Sequence, residues 1–265
     1  MTRLLTLLAL VLALPASTQL ASAQPDRVLD ARQALTDGVL AGDADAILGA
    51  RATLALAAEA DGPEAAWATY YGALADYRLA YTFWSADADR AAQHAASGAD
   101  ALADLRRQRG LPDGLAPEAA ALQSALLGAQ MGLDPSQAMS LGSVSTAAIE
   151  EAARLDADNP RVQLIHAQTL LNTPEEWGGD PDRALALLQA STAGFDVSEA
   201  GDALAPTWGA GDAYAWLGMA HLMRGEAAEA RVAIEAAERL TPNSEFVQFK
   251  LKPWLGSVEG ETQAP

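Results

Sequence analysis

Residues 211–244 read GDAYAWLGMAHLMRGEAAEARVAIEAAERLTPNS, and the spacing inside this stretch decides the fold. Tyr214, Leu217, Gly218 and His221 recur at three- and four-residue intervals, the period of one face of a helix. After the Arg224-Gly225 break the period resumes with Ala230, Ile234 and Ala237, and Pro242 ends it. Two short helices joined by a tight turn satisfy this pattern. Gly218 and Ala230 are small where the pair must cross closely, while Ile234 fills the space toward the next pair.

The same grammar recurs upstream. Ala167 and Leu170 stand for the glycine and ring positions, and Ala184 and Leu188 for the second helix. Ala167 to Ala184 spans 17 residues where Gly218 to Ala230 spans 12, so an insertion falls around Thr173-Pro174-Glu175-Glu176-Trp177-Gly178-Gly179. A third fragment, Ile149, Ala152 and Ala157-Asp158-Asn159, parallels Ile234, Ala237 and Pro242-Asn243. On Tyr214-x2-Leu217-Gly218-x2-His221 and Ala230-x3-Ile234 closing on Pro242, the chain resembles the tetratricopeptide-repeat proteins. The resemblance covers residues 143–242 and fades toward the N-terminus. It implies a right-handed superhelix of helix hairpins whose first helices line a concave groove used chiefly for peptide or protein binding.

Outward from this core the same class holds. The chain has 62 alanines, the best helix former, and no β-branched run alternates with period two. Glycine and proline fall between the alanine-rich segments. The pattern predicts helices at 26–40, 44–60, 63–84, 87–109, 117–133, 143–155, 161–171, 181–194, 211–224, 227–240 and 244–252. The reading is all-α, an α-α superhelix of five hairpins and a C-terminal capping helix. Residues 24–142 form degenerate hairpins, 143–243 the clear repeats, and 244–265 the capping helix with a flexible tail.

The ends and the charge set further bounds. Arg3, the apolar run from Leu4 to Leu14 and Ala21-Ser22-Ala23 before Gln24 form a signal peptide over residues 1–23. The alternative, a membrane anchor, needs roughly 20 apolar residues where this run has 11. The expected location is the periplasm or outside the cell, with no membrane span after cleavage. No cysteine is present, which excludes disulfides, thiolate metal sites and a lipid-modified cysteine. Net charge is −18, and loss of Arg3 with the leader makes it −19. Nucleic acid and anionic membranes are therefore poor partners. The acidic surface fits either a saline habitat or plain solubility.

No catalytic constellation is found. His94, His166 and His221 lack any spacing that holds a metal, and no nucleophile elbow or phosphate loop occurs. The chain is expected to be no enzyme and to carry no cofactor or metal. Acidic pairs such as Glu150-Glu151 read as solvated helix surface.

Binding candidates follow from the groove that the resemblance implies. First-helix positions at helical spacing are Arg161, Leu164, Gln168, Leu171 and Asn172, then Asp212, Ala215, Met219, Leu222 and Met223. Arg161 is a rare cation in an acidic setting, suited to a carboxylate or carbonyl-rich segment. Met219 and Met223 give adaptable apolar area. Packing under the capping helix would occupy Met219, Leu222 and Met223 instead. Trp67, Tyr70, Tyr77, Tyr81 and Trp84 share one helix face, either packed against a neighbouring hairpin or walling a ligand. Trp177 and Trp208 lie in loops, where each either folds back or meets a partner. The leading expectation is an exported scaffold for a protein or peptide. The alternative is a periplasmic component of a transport system whose superhelix encloses a small organic solute.

Overall fold

The computed structural model describes residues 24–197 and 203–262, all in helices, short turns and connecting loops, with no strand among them. The expected leader, 1–23, lies outside these residues. In chain order the helices are α1 (Gln24–Ala41), α2 (Ala44–Ala58), α3 (Pro63–Phe83), α4 (Ala88–Arg106), α5 (Leu115–Leu133) and α6 (Ala138–Leu155). Then follow α7 (Pro160–Asn172), α8 (Pro181–Val197), α9 (Ala210–Met223), α10 (Ala227–Leu240) and α11 (Lys252–Thr262).

Local chemistry starts several of them. Asp43, Asp87 and Asn159 accept main-chain N–H bonds in the first turns of α2, α4 and α7, meeting donors that a helix leaves unpaired. Pro63 and Pro160 open α3 and α7, where a missing N–H costs nothing. Most boundaries fall within three residues of the expected ones, and two differ by more. Helix α6 begins before Gly142 and not after it, because one interior glycine costs only about 1 kcal/mol and Asp134 organises a 3-10 turn just ahead. The C-terminal segment makes a π-helical turn over Phe246–Leu251 and continues as α11 to Thr262, so helix replaces most of the expected tail.

Consecutive helices pack as hairpins: α1 on α2, α3 on α4, α5 on α6, α7 on α8 and α9 on α10. Each odd-numbered helix from α1 to α9 also packs on the next odd one, whereas even-numbered neighbours meet through long side chains, Arg51 of α2 on Ser97 of α4 and Arg106 of α4 on Glu151 of α6. The result is an all-α helical-repeat superhelix, with an inner layer of odd helices and an outer layer of even ones. Repeat positions read from the sequence sit at its crossings. Ala230 and Ala237 are fully buried, and a Cβ on Gly218 would lie 2.7 Å from Cγ1 of Ile234. Upstream, Ala167, Leu170, Ala184 and Leu188 form one buried cluster. The largest buried cluster lies at the other end, built by α1 to α5 around Trp67, Tyr70, Tyr71 and Tyr77.

Candidate functional site

The inner layer meets in the middle of the molecule. On α3 the side chains of Tyr70, Tyr77, Tyr81 and Trp84 recur at seven-, four- and three-residue steps, so they share a face. Their burial changes along it: Tyr70 is fully buried, Tyr77 nearly so, and Tyr81 is 44% exposed. The rings touch in series. Tyr77 and Tyr81 meet edge to face at 5.0 Å, and Tyr81 stacks on Trp84 at 5.3 Å with 15° between planes. Across from Trp84 stands Gly132 of α5, where a Cβ would come within 2.7 Å of the indole. One turn earlier, exposed Gly128 leaves open space. Phe83 faces the other way, stacked on His94 with the Arg90 guanidinium 3.9 Å above it.

A buried polar knot lies at the deep end of this ladder. Glu118 of α5 accepts from Arg161 Nε at 2.7 Å, Asn159 Nδ2 at 2.8 Å and the Tyr70 hydroxyl at 3.1 Å. Glu118 occupies the first turn of α5, where the helix dipole favours a negative charge. Trp208 Nε1 donates to the Tyr70 hydroxyl at 2.9 Å, so three helices, α3, α5 and α7, and a loop converge around one tyrosine. Burial pushes the Tyr70 hydroxyl well above the ordinary tyrosine range, and the Glu118 charge pushes it the same way. Tyr71 is carried to about 12, also by burial, and Tyr77 is raised by burial and by Tyr81. These hydroxyls are therefore neutral hydrogen-bond donors at any physiological pH. Burial alone would lower the Arg161 pKa, but the Glu118 carboxylate outweighs it and raises it.

A second knot ties distant helices together. Both Arg78 guanidinium nitrogens of α3 donate to Asp212 of α9, at 3.0 and 2.6 Å, in a bidentate pair. The same guanidinium lies over the rings of Tyr77 and Trp208, 5.5 and 5.3 Å from their centres. Asn243, beyond α10, donates to the Leu40 carbonyl of α1. The superhelix thus curls far enough for its first and last hairpins to touch.

Into this interior runs the loop 203–209, between α8 and α9. Arg32 of α1 donates to the carbonyls of Ala203 and Ala205, at 2.7 and 3.0 Å, and the Tyr71 hydroxyl to that of Leu204 at 2.7 Å. Arg161 reaches the Trp208 carbonyl at 3.4 Å. The half-buried Trp208 ring packs against the clusters of the first hairpins, of α5 to α7, and of α7 to α9. Gly209 closes the loop at φ 115°, a left-handed turn in which a Cβ would strike Phe195 at 2.6 Å.

The sequence-predicted site residues part company here. Arg161 is not a free cation, because the chain's own Glu118 takes it. Leu164 and Leu222 are core side chains at 1% and 3% exposure, and Leu222 belongs to a C-terminal cluster with Ile234, Val247 and Leu251. Met219 packs against that same cluster, while Met223 is 47% exposed. Leu222 and Met219 are covered by the π-helical turn and α11, which close the end of the inner layer, whereas Leu164 is buried against α8 and α9. Gln168 lies seven residues from Arg161 on the same helix face and is buried. Asn172 is exposed and donates to the Gln168 carbonyl. Trp177 stays 76% exposed on a tight 3-10 turn, whereas Trp208 folds back into the centre. Sequence reasoning missed Arg32, Tyr71, Arg78 and Glu118. Arg78 and Glu118 did carry a signal, since each is a charge on an otherwise apolar, ring- or alanine-rich helix face.

Among the described residues no three His, Asp or Glu side chains gather as a metal site, and no helix is long and apolar enough to cross a membrane. No protein-family profile matches the chain, and no curated protein sequence does. Among solved structures it is similar to the HusA haemophore from Porphyromonas gingivalis. The two are 25% identical, the likeness covers 76% of this chain and 92% of that one, and the TM-score is 0.56.

Proposed function

We propose that the chain is an exported binding protein for a flat organic ligand, with haem as the first candidate, and that the ligand lies against the ring ladder of α3. The observation that carries this reading is the Tyr81–Trp84 pair, two stacked rings left partly open beside the glycine-lined face of α5. An isolated domain gains nothing by leaving stacked aromatic surface in water, and a flat π-system covers it best. The likeness to a haemophore supports the same class of ligand. The reading is one of carriage and not of catalysis. It takes up the solute alternative of the sequence analysis in preference to the peptide scaffold, because the inner groove is already filled by the chain's own loop.

Titrating the chain from Gln24 onward with haem tests it directly. A shifted haem absorption band and quenched tryptophan fluorescence, saturating near one ligand per chain at about micromolar concentration, are the expected result. Tyr81→Ala with Trp84→Ala should weaken binding by about tenfold or more, the worth of about 1.4 kcal/mol of lost stacking. A chain that leaves the haem spectrum unchanged sinks the reading. The exposed Trp177 turn favours a second role, docking to a protein partner. Trp177→Ala should then abolish capture of that partner without touching haem binding.

A further inference from the structure

The loop 203–209 behaves chemically like a ligand. Its three successive carbonyls, of Ala203, Leu204 and Ala205, accept hydrogen bonds from side chains of α1 and α3. Its indole lies among the Tyr70 hydroxyl, the Tyr77 ring at 6.5 Å and the Arg78 guanidinium. The charges around it are uneven. Arg78 and Arg161 are each neutralised by a carboxylate, Asp212 and Glu118. Arg32 has no carboxylate partner among the described residues; its guanidinium serves the two loop carbonyls and lies 5.8 Å from the centre of the Tyr71 ring. In a chain with 35 acidic and 17 basic side chains, an inward arginine with no acid among the described residues is conspicuous. A carbonyl is the weaker acceptor for it, and a carboxylate would bind about twice as strongly.

We propose that residues 203–208 are a displaceable resident of the ligand seat, and that the seat takes a flat aromatic acid. The acid's carboxylate goes to Arg32 and the Tyr71 hydroxyl, where the loop carbonyls now stand, and its ring system goes to the place of Trp208 beside Tyr77. This rests on the flat-ligand reading above and adds the acid, the cation that receives it and the segment that yields. Release of the loop up to Trp208 leaves no helix broken, since the bonds described for those carbonyls are to side chains, while Gly209, whose carbonyl accepts from Ala213 N–H, stays in place as the cap of α9. It does leave Arg32 and Tyr71 as unpaired donors, so the open state persists only when an acid replaces the carbonyls.

The test compares protoporphyrin IX with its dimethyl ester, equal in shape and lacking free carboxylates. The wild-type chain should hold the diacid about tenfold tighter than the ester, the worth of one charge-assisted pair. Arg32→Ala should bring that ratio close to one, and Arg32→Lys should restore part of it, with helicity by circular dichroism checked for each. A ratio that Arg32→Ala leaves unchanged overturns the proposal while the flat-ligand reading stands. Should neither porphyrin bind, that reading falls, and amide exchange of the ligand-free wild-type chain judges the loop separately. Exchange at Ala205, Thr207 and Trp208 about tenfold or more faster than in the ring-bearing turns of α3 supports a displaceable segment. Protection equal to that of α3 makes the loop permanent core and overturns the proposal.

Discussion

Helices α3 and α9 occupy equivalent places in the inner layer, and they spend their side chains differently. Helix α9 follows the repeat spacing closely, and its small residues Gly211, Ala213, Ala215, Gly218 and Ala220 let neighbouring helices approach. What it buries, it buries against neighbours in sequence: α7 and α8 on one side, α10 and the C-terminal turn on the other. Helix α3 follows the spacing poorly, and its rings fill the curl of the superhelix. They meet α5, the 203–209 loop and, through Arg78, α9 itself. A legible repeat therefore marks local packing, and an illegible one marks where the long-range core lies. Side chains that must fit a unique interior cannot also keep a repeating pattern.

The sharpest test of this contrast is Trp67→Ala. Trp67 is 2% exposed between Tyr70 and Tyr71, and its loss should cost about 3–5 kcal/mol. Because α3 is tied to α9, the unfolding midpoint should fall equally for far-ultraviolet helicity and for amides of α9 and α10. A midpoint that stays put in α9 and α10 would mean that repeats unfold independently, as in an open array.

Gly218→Leu is the matching change in the regular half. The new side chain meets Ile234 Cγ1 at 2.7 Å and the Ile234 main-chain nitrogen at 3.4 Å, which overpacks the crossing. The expected cost is about 1–3 kcal/mol despite the better helix propensity of leucine. Chemical denaturation measures it, and an unchanged midpoint would break the equivalence drawn between Gly218 and the repeat's crossing site.

The smallest effect is in pH dependence, where the halves should fail on opposite sides. Burial, and then the Arg183 charge, lower the pKa of His166 in α7. The unfolded chain binds that proton more readily, so the contribution is complete above about pH 6.5 and drains as pH falls below it. In α3 burial raises Tyr70, Tyr71 and Tyr77, so their contribution is complete below about pH 10 and drains as pH rises past it. Melting temperatures of wild type and His166→Gln should converge on the acid side, with the alkaline limb unchanged. Parallel acid limbs would remove His166 from the comparison.

Much of the fold was written in short-range spacing. Proline, glycine and capping residues set most helix starts, and the Gly218, Ala230 and Ile234 pattern placed one hairpin crossing, because such contacts reach no further than a turn or a pair of helices. The ring face of α3 was legible too, as a stripe whose purpose stayed open between packing and ligand. What no spacing could show is which distant groups the curl brings together. Arg161 read as a free cation until Glu118, 43 residues away, was found to hold it. Trp208 read as a loop residue until it met Tyr70, 138 residues away, and Arg78 gave no hint of Asp212 at a separation of 134. Those pairings depend on the small angle added at each hairpin, summed over five of them. The summed curvature, and not any one segment, decides whether the inner face is an open groove or a seat already occupied by the chain itself.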